Sequence, residues 1–419
     1  MDDKVAADVV IVGASVAGVG VADALRAAGF EGSLVLADAE PGLPCDKPPL
    51  SKQALRPGWE PARGLLRPRE HYERHGIRLV LGNAVVALAA RGGRTLVRLA
   101  DGSAFDAATV VLAPGARART LPREVVAPGL RGVHAIRTEA DSAGIRASLA
   151  PGCRLVVVGG GFIGAEAAGV AAELGADVTI VEQQRLPFLT LFGEAVAGAL
   201  CRRHTERGVT VLGGASVERI EGESAAETVL LADGRRIPAD LVLLGLGAEP
   251  RVEWLAGSGI ALGDGVGSTG ILCDEYGRTS LPGVYAAGDA AAWRDAGTGA
   301  VRRIEHWTTA KEQAAVVASN ILRPESETLR GVPYFWSDQH GGRLQFLGTT
   351  EGFDRAEVVH GSLEGGQAEK RESWVVLYGR AGTLVGALGL SSARRLMPYR
   401  PRILEGAGLD DVLGEVRPH

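Results

Sequence analysis

The stretches "DVVIVGASVAG" (residues 8–18) and "RLVVVGGGFIG" (residues 154–164) decide the fold of this chain. Each is an apolar, β-branched run feeding a glycine turn. Each is followed by an alanine-rich stretch of helical composition, "VGVADALRAAG" and "AEAAGVAAELG". Gly29 and Gly175 close those stretches, where a left-handed residue ends a helix. A second apolar run then ends in an acid, "SLVLAD" and "DVTIVE". Strand, glycine turn, helix, strand is the βαβ unit of a parallel sheet, and it occurs twice. The echo extends downstream: "RLADGSAFDAATVVLAPGARAR" (98–119) matches "LLADGRRIPADLVLLGLGAEPR" (230–251). Both show a strand, an Asp-Gly turn and a strand ending in glycine. Two dinucleotide-binding units, each with its own β-hairpin insert, account for both repeats.

Length and composition bound what surrounds these units. A chain of 419 residues and 43.5 kDa predicts about three domains. It is 46% hydrophobic and 23% charged, a globular composition that can bury a core without disulfide or metal staples. With 45 basic against 50 acidic residues the net charge is -5, which argues against a protein that coats nucleic acid. No membrane class fits. The longest apolar stretch, 9–22, carries Ser15 and several glycines and stops at Asp23, short of the ~20 residues a span needs. The first residues, "MDDKVAAD", are acidic where a signal peptide is basic. Cys45, Cys153, Cys201 and Cys273 are isolated, a spacing that excludes a zinc ribbon, gives no metal set and suits a reducing cytoplasm. Of 20 Phe, Trp and Tyr residues, eight lie in the last 89 positions. That shift marks a third, α+β domain with strands expected near 343–348, 373–378 and 383–390.

The glycine turns carry the chemistry. A dinucleotide's pyrophosphate is bound by backbone N–H groups at a helix N-terminus, and glycine lets it approach without a Cβ in the way. The second turn is complete: Gly159-x-Gly161-x-x-Gly164, with Phe162 and Ile163 as its variable positions. In the first, Gly13 and Gly18 fit and Ala17 precedes Gly18, but Ser15 stands at the middle glycine and adds a small side chain at closest approach. The acid after each second strand is placed for ribose hydroxyls. In the second unit it is Glu182, which repels the 2′-phosphate of NADP and favours NAD, although Arg185 lies nearby. In the first unit either Asp38 or Glu40 fits.

Four further stretches carry a resemblance: "LPCDKPPLSKQAL" (43–55), "TSLPGVYAAGDAAAW" (279–293), "EHWTTAKEQA" (305–314) and "PYFWSDQHG" (333–341). They resemble the oxygenase-coupled, NADH-dependent ferredoxin reductases, FAD proteins of the glutathione-reductase class, over essentially the whole chain. The resemblance implies an α/β fold with two Rossmann-like dinucleotide-binding domains (glutathione-reductase-like) and a C-terminal α+β domain. It places an FAD-binding domain at 1–115 and 245–325, an NAD-binding domain at 116–244 and the C-terminal domain at 326–419. By the same resemblance, Asp289 after Gly288 meets the FAD ribityl and pyrophosphate region. Lys52 lies beside the flavin N5 edge, and Glu166 pairs with it near the nicotinamide. Trp307 and Trp336 stand near the isoalloxazine. Lys47, Ala113, Arg119, Gly247, Glu305 and His306 belong to the cofactor-binding motifs, with His306 structural rather than a proton shuttle.

The activity so implied is a hydride from NADH to FAD, with nicotinamide C4 held roughly 3–3.5 Å from flavin N5. Single electrons then pass to a ferredoxin serving a cytochrome P450 or a Rieske dioxygenase. Where the family usually has tyrosine, arginine and "ATGARPR", this chain has Cys45, Lys47 and "APGARAR". Cys45 raises a competing reading, a single-cysteine flavoprotein that reduces peroxide, oxygen or coenzyme A disulfide. The motif around it is that of the ferredoxin reductases, and Leu50 stands where the second cysteine of a Cys-x4-Cys pair belongs. A redox-sensing interaction protein is the third reading. An acidic ferredoxin calls for a basic docking face, for which Arg302, Arg303, Arg394, Arg395, Arg400 and Arg402 are the candidates. A monomer is the expected state.

Overall fold

The computed structural model describes residues 4–265, 269–364 and 372–416. The chain forms two compact units. The first comprises Met1–Lys47, Ala62–Arg117 and Ala248–Gly331, and the second Pro48–Pro61, Ala118–Gly247 and Val332–His419.

In the first unit, strand Lys4–Val12 lies between Leu34–Asp38 and Ala104–Leu112 and is parallel to both. Ile77–Leu81 extends the sheet on one side. Antiparallel Arg94–Leu99 and Val85–Arg91 extend it on the other, and Val284–Ala286 joins Ala104–Leu112. Val9, Val10 and Ile11 are essentially fully buried, as a parallel strand covered on both faces requires. Helix Val16–Ala27 packs against helix Trp307–Leu322, where Gly20 admits the Ala314 methyl. The first helix ends as expected, with Gly29 left-handed at φ 82°.

The second unit contains a wholly parallel sheet in the order Thr210–Gly213, Asp177–Glu182, Arg154–Val158, Leu241–Leu244, Val133–Ala135. The hairpin insert is the antiparallel trio Val217–Glu221, Thr228–Leu231 and Arg236–Pro238. Residues 48–61 belong to this unit by their contacts: Leu50, Ala54 and Leu55 are buried in one apolar cluster with Ile145, Leu155, Ala167 and Ala171. The C-terminal part is a five-stranded antiparallel sheet, ordered Tyr334–Gln339, Gly342–Gly348, Thr383–Leu390, Trp374–Arg380, Arg355–His360. The first and last of these strands were not among the three expected. "YFWSDQ" lacks an apolar alternation and "RAEVVH" is an edge strand with the charged Arg355 and Glu357 in its first half. Helix Glu194–Thr205 packs against this sheet through Val196 and Leu200, in a cluster with Phe192, Phe346, Trp374 and Tyr378.

The same helix ends on a buried imidazole. Burial, helped by Arg203 and Arg207, pushes His204 down to about 4. Burial, then His204 and the same arginines, pushes His340 down to about 3.

Two predictions follow from the packing. A Cβ on Gly164 would lie 2.2 Å from the Gly159 carbonyl oxygen, whereas one on Gly161 meets nothing nearer than 4.0 Å. Gly164→Ala therefore loses about 1–3 kcal/mol in urea denaturation, and Gly161→Ala no more than about 1 kcal/mol. The second prediction concerns acid. Unfolded imidazoles bind protons below about 6.5, whereas folded His204 and His340 resist until about 4 and about 3. The unfolded state thus binds more protons in that window. Stability present above pH 6.5 is lost as the pH falls through it, and the midpoint of thermal unfolding recorded against pH shows this as a decline.

Candidate functional site

In the first unit, the glycine turn is held from three sides. Gly13 has φ 102°, and a Cβ on it would sit 2.0 Å from the carbonyl oxygen of Ala113. Gly18 lies under the turn, where a Cβ would be 1.9 Å from the Gly13 oxygen. Asp38, at the end of the second strand, accepts a hydrogen bond from the Ala14 amide and another from Glu40 N at 2.8 Å. Glu40 is committed elsewhere, to Lys47 Nζ at 2.7 Å. The geometry thus separates the two acids that the sequence leaves equivalent: Asp38 serves the turn. Ser15 occupies the N-cap of helix Val16–Ala27 with extended backbone, yet its hydroxyl makes no cap bond. A free hydroxyl at the helix mouth suits a phosphate, so Ser15 fits a pyrophosphate in place of the missing glycine.

The Gly-Asp segment backs onto this turn. Gly288, at φ 77°, brings its Cα side against Ala17, where a Cβ would lie 3.0 Å from the Ala17 methyl. Its amide donates to Gln313 Oε1 at 2.8 Å. Asp289 is half-buried, and Arg303 donates to its carbonyl at 2.9 Å while pairing with Glu305. Burial pushes His306 down to about 4 against the opposing pull of Asp289, so it is neutral at pH 7. Trp307 Nε1 donates to Asp46 Oδ1 at 2.8 Å, tying the "PCDK" segment to the start of helix Trp307–Leu322, and Lys311 lies 5.2 Å over the indole. Cys45 is half-buried, bridges Leu65 through its backbone, and has Lys47 Nζ at 3.8 Å from its sulfur.

The second unit repeats the turn. Gly159 has φ 96°, and a Cβ on it would lie 2.5 Å from the Gly245 oxygen. Glu182 accepts from Gly160 N at 2.8 Å and Gln184 N at 2.9 Å, matching Asp38 in the first unit. Arg185 pairs with Glu194. Gly161 is exposed above open space and Ile163 is 42% exposed beside it, while Phe162 turns inward against Phe188 and Phe335. A Cβ at Gly161 would project into the space that a phosphate needs, so this turn fits a dinucleotide. Arg119 and Gly247 are joined by a backbone hydrogen bond of 3.0 Å. Trp336 is half-buried and stacks on Tyr334 at 6.2 Å.

Lys52 and Glu166 meet within the second unit. Their Nζ–Oε2 distance is 2.7 Å and both side chains are almost wholly buried, at 10% and 5% exposure. Lys52 also donates to the Pro48 carbonyl at 3.0 Å. Glu166 accepts in addition from Ser51 Oγ, from Ser337 Oγ at 2.8 Å and from Asp338 N at 3.1 Å. Ser51 and Ser337 were not singled out from the sequence, although both stand inside quoted motifs, "PPLSK" and "FWSDQH". Among the described residues, no group of His, Cys, Asp and Glu could hold a metal ion, and no helix is long and apolar enough to cross a membrane.

Comparison with known proteins agrees with this geometry. Residues 7–314 match the pyridine nucleotide-disulphide oxidoreductase family, and residues 334–412 match the reductase C-terminal family. The chain is 37% identical to a ferredoxin–NAD(P)(+) reductase of Sphingomonas sp, over 96% of this chain and 94% of that one. It is 36% identical to rhodocoxin reductase of Rhodococcus erythropolis, over 85% and 82%. Among solved structures it is similar to the covalent putidaredoxin reductase–putidaredoxin complex, with a TM-score of 0.90, 32% identity and coverage of 97% and 95%. The chain belongs to the oxygenase-coupled ferredoxin reductases within the pyridine nucleotide-disulphide oxidoreductase family.

Proposed function

We propose that this protein oxidises NADH and passes the electrons singly, through FAD, to a ferredoxin that feeds an oxygenase. The observation that carries the reading is the buried Lys52–Glu166 pair in the unit whose glycine turn is complete. The first unit holds FAD. Gly13, Ser15, Ala17 and Gly18 take its pyrophosphate, Asp38 its ribose, and Ala113, Gly288 and Asp289 the ribityl side, with Lys47, Glu305, His306 and Trp307 around the remainder. The second unit holds NADH at Gly159, Gly161, Phe162, Ile163 and Gly164, with Glu182 on the ribose and Arg119 and Gly247 beside it. Glu182 with Arg185 engaged by Glu194 favours NADH over NADPH. When bound, FAD supplies the conversion of a two-electron donor into one-electron steps.

The chain's own residues supply position and charge. Lys52 supplies a fixed, buried cation, and Glu166 holds it in place. This chemistry needs no general base and no thiol, and Cys45 fills space beside Lys47 and Leu65. The protein works as a monomer in the cytoplasm, where NADH is at hand.

Of the arginines considered for the ferredoxin face, Arg303 is engaged by Glu305 and Arg402 by Glu415. Arg394 and Arg395 form no ion pair among the described residues and line a cleft of about 640 Å³ with His360, Tyr399 and Arg402. They are the docking candidates.

Anaerobic mixing with NADH, followed by a panel of ferredoxins, tests the reading: the flavin bleaches quickly and a ferredoxin is then reduced. Protein that binds no flavin, or a long-lived complex that no ferredoxin discharges, contradicts it. Glu166→Gln is expected to destabilise the protein by about 3–5 kcal/mol, because a buried cation loses its counter-ion. The double variant Lys52→Gln, Glu166→Gln recovers most of that stability but not the rate of flavin reduction by NADH, and denaturant melts with stopped-flow absorbance separate the two effects. Ferredoxin reduction slows as salt is added. Arg394→Glu with Arg395→Glu slows it by about tenfold at low ionic strength while bleaching by NADH keeps its rate.

A further inference from the structure

A line of buried polar side chains leads away from Glu166, and the proposed chemistry does not by itself require it. Glu166 Oε1 lies 2.8 Å from Ser337 Oγ, and Ser337 Oγ lies 3.1 Å from Gln339 Nε2. Gln339 Oε1 lies 3.3 Å from His204 Nε2, and His204 Nδ1 lies 2.8 Å from His340 Nε2. Ser337, Gln339 and His204 are no more than 3% exposed.

The donor sense of this line is determined by chemistry. The Ser337 hydroxyl donates to the carboxylate and accepts from the Gln339 amide nitrogen. The amide oxygen only accepts, so His204 carries its proton on Nε2. A neutral imidazole then has a bare Nδ1, which accepts from Nε2–H of His340. Both imidazoles are neutral at pH 7. Every proton therefore points towards Glu166, and each atom in the line has a partner of the right kind.

The backbone around His340 supports the same line. His340 and Gly341 form the two-residue turn between strands Tyr334–Gln339 and Gly342–Gly348, with φ 48° and 69°. Such a turn needs the left-handed region twice, which glycine or asparagine takes more cheaply than histidine. Arg203, 5% exposed, clamps the turn: it donates to the carbonyls of Gln339 at 3.1 Å and His340 at 2.9 Å and pairs with Glu372 at 2.6 Å. On the helix that carries Glu166, a Cβ at Gly169 would lie 3.3 Å from His340 N and 3.6 Å from its ring. A costly histidine, a buried clamp and a glycine opposite all serve one chain of hydrogen bonds.

We infer that His340, His204, Gln339 and Ser337 are positioning residues, a one-way chain of donors that occupies Oε1 of Glu166 and leaves Oε2 to hold Lys52. The inference rests on the part proposed above for the Lys52–Glu166 pair. It separates a hydrogen-bond chain with a direction from a set of satisfied core residues, which needs none.

The test uses the full-length flavoprotein with 15N-labelled histidine. Two-bond proton–nitrogen correlation shows His204 and His340 as neutral Nε2–H tautomers from pH 8 to 5.5. His340→Gly relieves the turn but has no donor. It lets His204 exchange between tautomers and slows bleaching by NADH about tenfold with the affinity for NADH unchanged. In His340→Gln an amide N–H at the ε position replaces the donor, restoring the tautomer and bringing the rate within about twofold of the original. A wild-type His204 protonated on Nδ1 or mixed between tautomers overturns the inference. So does a His340→Gly protein that bleaches at the original rate. Should the unaltered protein not bleach with NADH, the proposed function falls, and the tautomer measurement still decides the chain.

Discussion

A carboxylate removed from water must be met by donors on every side, and Glu166 shows what that constraint demands. Stripped of solvent, the group costs several kcal/mol unless each oxygen is satisfied. Here Lys52 and Ser51 meet one oxygen, and Ser337 with the Asp338 amide meet the other. The carboxylate and its partners come from three stretches, each more than a hundred residues from the next. The segment 48–61, the helix Phe162–Glu173 and the strand Tyr334–Gln339 must therefore be in register before the charge can be buried. Apolar packing of Leu50, Ala54 and Leu55 on the parallel sheet brings the first stretch to that place.

The two glycine turns express a different logic. Each strand-end acid reaches back to an amide of its turn, so the backbone of the turn is braced by a side chain from the next strand. The brace sits on a rigid parallel sheet, which suits a site whose task is to place rather than to react. Tightness is uneven along each turn. Gly13, Gly18, Gly159 and Gly164 are fixed by neighbouring backbone, whereas Gly161 borders open space. One pattern of glycines therefore mixes positions that the backbone packing requires with one that it leaves open.

Much of this was legible in the chain itself. The repeat of strand, glycine turn, helix and acid placed both parallel sheets, because β-branched runs buried on two faces and left-handed glycines leave few other folds open. The Lys52–Glu166 pairing came only through family likeness, since no periodicity links residues so far apart. Asp38 and Glu40 could not be told apart by spacing, and the ion pair of Glu40 with Lys47 separates them. Ser51, Ser337 and Gln339 were invisible as partners because nothing in the local pattern around a serine or glutamine says which distant group it meets. The strands Tyr334–Gln339 and Arg355–His360 were missed where polar side chains that serve the site or the edge displaced the alternation.

The path of the chain has a bearing on its synthesis. Each compact unit is pieced together from three separated stretches, and the first is complete only when residues near 331 have been made. Neither unit can close while the ribosome is still on the early portion, so the nascent polypeptide spends most of translation with unfilled sheets. A chain that stopped short of about residue 331 would leave both units without one of their stretches.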